Sequence, residues 1–162
     1  MPPEMEAHSE QLMDIKPARE SDEMEKMKTL AVLVLLGICI LKCEAIGHCE
    51  VVKAAKWAGL DGYKGYSAAN YACLAYYASY YDTSLHNSPT EYGIFQINSA
   101  WWCNNSRRDN KACKIQCSAL LDSNILDDIM CVKRIVQDPQ GLNAWIPWKE
   151  NCKGRDLSHF NC

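Results

Sequence analysis

The sequence predicts an α+β fold, and three patterns in the region after residue 43 support this prediction. Apolar residues recur at helical spacing near both ends of the region, a strand-like segment lies between them, and eight cysteines are spread along it. Helices that are separated along the chain from a small sheet are typical of the α+β class. A chain of 162 residues accommodates one hydrophobic core of this kind.

Two helices are predicted before the strand. Residues 50–58 carry apolar side chains at helical spacing, and Gly59 ends the pattern. Ser67 is a suitable N-cap for a second helix over residues 68–79, which is rich in apolar and aromatic side chains. We therefore expect the second helix to be largely buried.

One strand and two further helices are predicted later in the chain. Residues 92–97 have the β-branched and aromatic character of a strand, and the turn residues 87–89 precede them. Helical patterns follow over residues 127–136 and, for a short helix, over residues 142–148. The helices thus flank a small sheet.

Residues 29–41 form an uninterrupted run of apolar and small residues that follows Lys26 and Lys28. The run is too short to span a bilayer, which takes roughly 20 residues. A basic flank, a short apolar core and an abrupt return to polar sequence are typical of a secretory signal peptide. We predict a signal peptide over residues 27–43, secretion of residues 44–162 as one domain, and no stable membrane insertion.

Residues 1–26 are polar and acidic, with eight Asp or Glu residues against three Lys or Arg residues. Almost nothing in this stretch can be buried, so we expect a disordered acidic extension. Because the basic end of a signal peptide normally begins a chain, translation from Met24 or Met27 is an alternative start.

The charge of residues 44–162 is balanced, with twelve basic and twelve acidic residues. Nucleic acid is therefore disfavoured as a partner, because phosphate binding requires an excess of basic side chains. The balance also removes long-range attraction to anionic bacterial surfaces.

Eight of the ten cysteines lie after the predicted signal peptide. An even set behind a secretory signal indicates a disulfide framework formed in an oxidising compartment. Zinc ligation fits poorly, since only Cys113 and Cys117 have a ligand-like spacing. Spacing alone leaves the pairing open.

Five segments resemble, in the same order, those of the C-type lysozyme and α-lactalbumin family, glycoside hydrolase family 22. They are GLDGYKGYS at 59–67, EYGIFQINSAWWC at 91–103, CSALL at 117–121, NAWIPW at 143–148 and CKGRDLS at 152–158. The match covers residues 44–162. It implies a lysozyme-like fold, in which a helical lobe and a small antiparallel β-sheet lobe face each other across a cleft, and a monomer.

The resemblance also implies the disulfide pairing, because all eight family cysteines are matched. The implied pairs are Cys49 with Cys162, Cys73 with Cys152, Cys103 with Cys117, and Cys113 with Cys131.

The catalytic machinery of the family is incomplete in this chain. Retaining glycoside hydrolysis uses one carboxyl group as a proton donor and a second to stabilise or capture the developing cation, and lysozyme is the standard example. In active family members the donor lies five residues after the cysteine that corresponds to Cys73, and here that residue is Ala78. Asp82 and His86 are the nearest candidate substitutes, and we expect both to be solvated loop residues.

Glu91 corresponds to the second carboxyl group of the family, which is normally Asp. The longer side chain keeps the charge but alters a geometry that tolerates little displacement. Glu91 is therefore interpreted as a catalytic remnant that contacts sugar, or as an exposed Glu at a strand edge.

The resemblance implies that a sugar-binding cleft is retained. Flat aromatic side chains stack on the apolar faces of sugars, and polar groups fix their orientation. Trp101 and Trp102 are expected on the surface, whereas for Trp145 core packing remains an equal alternative. The implied substrate-binding residues are Gln96, Asn98, Trp101, Trp102, Asp138 and Trp145.

The segment SALLDSNILDDIM between Cys117 and Cys131 resembles a calcium-binding loop of the family. Calcium prefers carboxylate and carbonyl oxygens. The implied ligands of a structural Ca2+ are the side chains of Asp122, Asp127 and Asp128 and the backbone oxygens of Ala119 and Asn124. The alternative is that the acidic residues only favour the positive end of the following helix.

Three functions remain open. The leading hypothesis is a secreted or vesicular protein, for example acrosomal, that binds an oligosaccharide or glycan without cleaving it. The second is an active peptidoglycan hydrolase with an altered site. The third is an α-lactalbumin-like regulator of a glycosyltransferase, in which Tyr76 and Tyr77 would form a partner surface, although core packing is expected for this pair.

One modification site is also left open. Asn104, Asn105 and Ser106 form an N-glycosylation sequon beside the two adjacent tryptophans.

Overall fold

The computed structural model describes residues 18–41 and 46–162 of the chain. The chain divides into two units, Met1–Glu44 and Ala45–Cys162, which are described separately. The predictions for residues 1–17 and 42–45 lie outside the described residues.

The described part of the first unit is one helix, α1, at Ala18–Leu41. Its sequence is rich in good helix formers, and Lys26 pairs with Glu23 one turn earlier, at 3.6 Å. Residues 18–26, for which low apolar content predicted disorder, are therefore helical in the structure. Within the residues described, no helix has the length and apolar character needed to cross a membrane.

The second unit begins with helix α2 at His48–Trp57, which starts two residues before the predicted helix. The Glu50 carboxylate accepts a hydrogen bond from the backbone N–H of Gly47 at 3.2 Å and so closes the first turn. The buried face of α2 carries Val51 and Val52, with two alanines at helical spacing.

Helix α3 spans Ala68–Ser79, as predicted. Ser67 occupies the N-cap position, as predicted, but its side chain makes no capping hydrogen bond. The Asp61 carboxylate instead accepts a hydrogen bond from the N–H of Ala68, at 2.8 Å. The helix ends where Tyr80 and Tyr81 adopt left-handed backbone conformations, with φ of 54° and 64°.

The predicted strand over residues 92–97 is wrong in detail. Two short antiparallel strands, β1 at Glu91–Tyr92 and β2 at Ile97–Asn98, flank a tight turn, with Glu91 opposite Asn98. The turn arises because Gly93 and Gln96 have positive φ values of 72° and 49°, and the Gly93 carbonyl accepts a hydrogen bond from the Gln96 N–H at 3.0 Å. The composition of residues 92–97 indicated β structure correctly, but it did not predict that the chain reverses direction within this segment.

Helix α4 spans Ile125–Val136 and begins two residues before the predicted helix, because the Asn124 side chain caps it by accepting a hydrogen bond from the Leu126 N–H. The predicted short fourth helix is instead a 3-10 helix at Gly141–Ala144, followed by helix α5 at Ile146–Asn151. Trp145 lies between them in an extended conformation.

Further 3-10 helices complete this unit, at Tyr63–Gly65, Cys117–Leu121 and Ser158–Phe160. The core lies where α3 packs against α2 and α5, and α2 also contacts α4. Tyr71, Leu74 and Ile129 are among its fully buried side chains. Strand β1 lies against the 3-10 helix Cys117–Leu121. The unit thus combines helices from both ends of its sequence with a small two-stranded sheet, which confirms the α+β lysozyme-like fold.

All four disulfides that the resemblance implied are present. They are Cys49–Cys162, Cys73–Cys152, Cys103–Cys117 and Cys113–Cys131. The first joins residues 113 positions apart and so ties the beginning of the second unit to Cys162.

Replacing Cys49 and Cys162 by alanine is expected to lower the free energy of unfolding by about 4–5 kcal/mol, because a long closed loop restricts the unfolded chain. The same change at Cys103 and Cys117, 14 positions apart, is expected to remove about 3 kcal/mol. Equilibrium unfolding in guanidinium measures both values. Equal losses would contradict this account of the longer loop.

Candidate functional site

A cleft of about 960 Å³ lies between the strands and the helices of the second unit. It is formed where the end of α3, the two strands, the loop after β2 and the segment after α4 meet. Eight residues singled out from the sequence line it: Ala78, Glu91, Gln96, Asn98, Trp101, Trp102, Asp138 and Trp145. The fold therefore brings together the position of the missing donor and all the sugar contacts that the resemblance implied.

Ala78 lies in the last turn of α3, half-buried and on the wall of the cleft. Its methyl group has no proton to give. Because the helix ends at Ser79, Asp82 is not placed one turn further along it.

The two candidate substitutes for the donor both lie outside the cleft lining. Asp82 accepts hydrogen bonds from the N–H and hydroxyl of Ser84, at 2.9 and 2.7 Å, and these bonds lower the pKa of its carboxyl group. His86 stacks on Tyr92, with ring centroids 4.1 Å apart, and its Nδ1 bonds to the Glu91 carbonyl oxygen. A general acid must reach the scissile bond, and neither residue reaches into the cleft.

Two polar side chains of the cleft are fixed by hydrogen bonds to the backbone. The Gln96 Nε2 donates to the carbonyls of Leu85 and Gly93, at 2.9 and 2.8 Å. The Asn98 Oδ1 accepts from the N–H of Ala100 at 2.8 Å. These bonds leave the Gln96 carbonyl oxygen and the Asn98 amide nitrogen as the groups that can contact a ligand.

The three tryptophans of the cleft differ in exposure. Trp101 is 71% exposed, as expected for a surface position, whereas Trp102 is half-buried and packs against the core. Trp145 is 7% exposed, and its Nε1 donates a hydrogen bond to the Phe95 carbonyl at 2.8 Å. Trp145 is therefore part of the core and forms a rigid wall of the cleft at the same time.

Asp138 is held by Arg134, whose guanidinium donates to its carboxylate at 3.1 Å across one turn. Both side chains are more than one third exposed, so the pair orients Asp138 without adding much stability. Arg134 also lines the cleft and was missed by the sequence analysis. The spacing of four residues between Arg134 and Asp138 is typical of an ion pair across one helical turn, and it could have identified Arg134 from the sequence.

Asp128 is the most unusual residue of the loop that resembles a calcium site. It is 1% exposed, and neither carboxylate oxygen has a hydrogen-bond partner among the residues described. Burial, followed by repulsion from Asp127, raises the pKa of Asp128 to about 8. A buried carboxylate without a partner is unfavourable unless a proton or a cation neutralises it.

The neighbouring acidic residues are more exposed. Asp122 accepts a hydrogen bond from the Asn124 N–H at 2.7 Å, and Asp127 accepts one from the Asp128 N–H at 3.1 Å. In the described part of the chain, the three carboxylates do not all approach within 4.8 Å of one another. Ala119 lies in the adjoining 3-10 helix Cys117–Leu121.

The residues present fit a calcium ion. Carboxylates and backbone carbonyls are the ligands that Ca2+ prefers, and the partnerless buried carboxylate of Asp128 is stabilised by either a proton or a cation. Another cluster with metal-binding side chains, His48 with Cys49 and Cys162, is unsuitable because both sulfurs form one disulfide.

Two further sequence features differ in accessibility. Asn104, the acceptor of the glycosylation sequon, is 9% exposed, and its Oδ1 accepts a hydrogen bond from the Lys111 N–H at 2.8 Å. In contrast, Tyr76 and Tyr77 are 37% and 39% exposed and meet edge to face, so the core packing expected for them is wrong. Tyr80, 74% exposed, adjoins Tyr76 and extends this tyrosine patch.

Replacing Trp145 by phenylalanine is expected to lower the free energy of unfolding by about 1–3 kcal/mol, because the Phe95 carbonyl loses its partner in a buried position. The exposed Trp101 provides the matched control, and Trp101→Phe is expected to change stability by no more than about 0.5 kcal/mol. Urea unfolding followed by circular dichroism measures both changes. Similar effects in the two variants would show that the Trp145 hydrogen bond is unimportant.

Comparison with known proteins agrees with the geometry of the cleft. The sequence model of the C-type lysozyme/alpha-lactalbumin family matches residues 44–162. Lysozyme C of Colobus angolensis and that of Nasalis larvatus are each 46% identical to this chain over 139 residues, covering 79% of this chain and 94% of the relative. Lysozyme C of Trachypithecus obscurus is 45% identical over the same length. The chain therefore belongs to the C-type lysozyme/alpha-lactalbumin family.

Proposed function

We propose that this chain is a secreted lysozyme-like protein that binds β-1,4-linked N-acetylhexosamine glycans and has little or no muramidase activity. The observation that carries the proposal is Ala78, a methyl group on the wall of a cleft whose other sugar-binding positions are kept. General acid catalysis contributes on the order of 10²- to 10⁴-fold, so its loss strongly limits cleavage of a poor leaving group.

No other carboxyl group of the cleft suits the role of donor, among the residues the structure describes. Glu91 and Asp138 are the acidic residues that line it. The Asp138 carboxylate is engaged in an ion pair with Arg134, at 3.1 Å. Glu91 corresponds to the second carboxyl group of the family, which acts as an anion and not as an acid.

The retained aromatic and polar groups support glycan binding. Trp101 offers an exposed ring for stacking, Trp145 provides a fixed wall, and Gln96 is held by two backbone hydrogen bonds. Side chains that are already ordered lose little conformational entropy when a sugar binds. The cleft is therefore suited to hold an oligosaccharide.

The purified protein is expected to give saturable heat with chito-oligosaccharides in isothermal titration calorimetry. Trp101→Ala should weaken the affinity by about tenfold, through loss of ring stacking. The matched control is Trp57→Ala, because Trp57 is similarly exposed, at 67%, but does not line the cleft. Absence of heat at millimolar sugar would refute glycan binding.

The unmodified protein is not expected to clear suspensions of bacterial cell walls in a turbidity assay. Ala78→Glu should introduce activity, and adding Glu91→Asp should raise it further by restoring the usual pair of carboxyl groups. Clearance by the unmodified protein at the rate of the double variant would overturn the proposal in favour of an active hydrolase with an altered site.

We further propose that the loop holds a structural Ca2+, through the side chains of Asp122, Asp127 and Asp128 and the backbone oxygens of Ala119 and Asn124. When bound, the ion supplies positive charge to a buried acidic site. Asp128 supports this proposal most directly, because its partnerless carboxylate is 1% exposed.

Calcium at 100 times its dissociation constant is expected to stabilise the protein by about 2.7 kcal/mol, seen as a rise in melting temperature. Asp128→Asn should abolish this response, because a neutral amide replaces the buried carboxylate. Asp156→Asn, a change at an exposed residue outside the loop, should leave it intact. Equal melting temperatures with calcium and with a chelator in the unmodified protein would exclude the site.

A second candidate function is regulation of a glycosyltransferase, and the exposed tyrosine patch favours it. Exposed tyrosines are enriched in protein interfaces, because they combine a large apolar area with a polar tip. The assay is the acceptor preference of a galactosyltransferase with and without the protein. A change that is lost in Tyr76→Ser and Tyr77→Ser would support this function over glycan binding alone.

A further inference from the structure

Gly93 packs directly against the proposed calcium loop. It has a φ of 72°, and a Cβ atom at this position would lie 1.9 Å from the Leu120 carbonyl oxygen and 3.1 Å from the Asp128 Oδ1. No side chain larger than hydrogen fits there. The backbone of the turn between β1 and β2 therefore rests on the 3-10 helix Cys117–Leu121 and on Asp128 without any flexible side chain between them.

Gly93 also holds groups of the cleft in place. Its carbonyl accepts hydrogen bonds from the backbone N–H and the side-chain Nε2 of Gln96, at 3.0 and 2.8 Å, and its N–H donates to the Leu85 carbonyl at 3.0 Å. Glu91 lies two residues earlier, paired with Asn98 of the neighbouring strand. One glycine thus adjoins the acidic loop on one side and the sugar-binding residues on the other.

An ion in the loop would act on the residues that support Gly93. The Oδ1 of the partnerless Asp128 and the Leu120 carbonyl oxygen both face Gly93. A cation bound by the loop fixes the position of Asp128 and restricts the 3-10 helix that carries Leu120. A turn that is already ordered loses less conformational entropy when a ligand fixes Gln96 and Glu91.

We propose that calcium in this loop strengthens glycan binding in the cleft, through the direct contact of Gly93 with Leu120 and Asp128. The inference rests on the proposed glycan binding and on the proposed calcium site, and it adds regulation of the cleft by the ion. Because coupling between two binding sites is reciprocal, a glycan in the cleft must strengthen calcium binding by the same factor.

The test is titration of chitotetraose into the full secreted domain, once in calcium and once in a chelator. The affinity is expected to be at least about fivefold higher in calcium, the lower end of typical couplings. Competition with a chelating dye then measures calcium affinity with and without saturating chitotetraose, and the same factor is expected.

Two variants locate the coupling. Asp128→Asn keeps the shape of the side chain but removes its charge, so its chitotetraose affinity should be equal in calcium and in chelator. Gly93→Ala should weaken both calcium and glycan binding, whereas Gly154→Ala, with a similar φ of 70° and no atom within 4 Å of the added Cβ, should weaken neither. Near-UV circular dichroism checks folding, and Asp128→Asn decides the question if Gly93→Ala does not fold.

The outcomes separate the proposals from one another. One outcome is that the glycan affinity is equal in calcium and in chelator while the melting temperature still rises in calcium. This outcome overturns the coupling but agrees with both the glycan site and the calcium site. Absence of heat from chitotetraose both in calcium and in chelator overturns the proposed function and the coupling with it. Absence of any calcium effect on the melting temperature overturns the metal site and, again, the coupling.

Discussion

The close packing of the turn at residues 93–96 on the 3-10 helix Cys117–Leu121 is the constraint on which the cleft depends. A left-handed glycine makes the chain reverse and lets the backbone approach a carbonyl oxygen too closely for any side chain. The reversal divides the strand-like segment into β1 and β2 and places Glu91, Gln96 and Asn98 on one side of the cleft. The positions of these three cleft residues therefore depend on a contact made outside the cleft.

The opposite wall depends on how α3 ends. Two consecutive tyrosines in left-handed conformations stop the helix at Ser79, so Ala78 is the last residue of α3 on the cleft wall and the chain then leaves the site. Left-handed conformations are unfavourable for such residues by roughly 1–2 kcal/mol each, and the surrounding packing must offset this. The same ending brings Tyr80 next to Tyr76 on the surface. One helix end thus determines both the cleft wall at Ala78 and the exposed tyrosine patch.

Much of the fold could be predicted from local sequence, and the errors arose where distant contacts decide the conformation. The bounds of α3 were predicted because the apolar pattern and its flanking residues agree. The reversal at Gly93 and the extended Trp145 were missed, since the first depends on contact with Leu120 and the second on a hydrogen bond to Phe95, each far away in sequence. The motifs identified the residues of the cleft, but they carried no information on burial. The partnerless state of Asp128 and the exposure of Tyr76 therefore became visible only in the folded chain.

The pairing of Cys49 with Cys162 joins the first and the last cysteine of the second unit. During synthesis, Cys49 emerges long before its partner exists, and six other thiols become available in the meantime. The native bond can form only after translation has passed every alternative partner, so any earlier bond of Cys49 is non-native and has to be exchanged. A free thiol at Cys49 therefore marks a molecule in which this last pair has not yet closed.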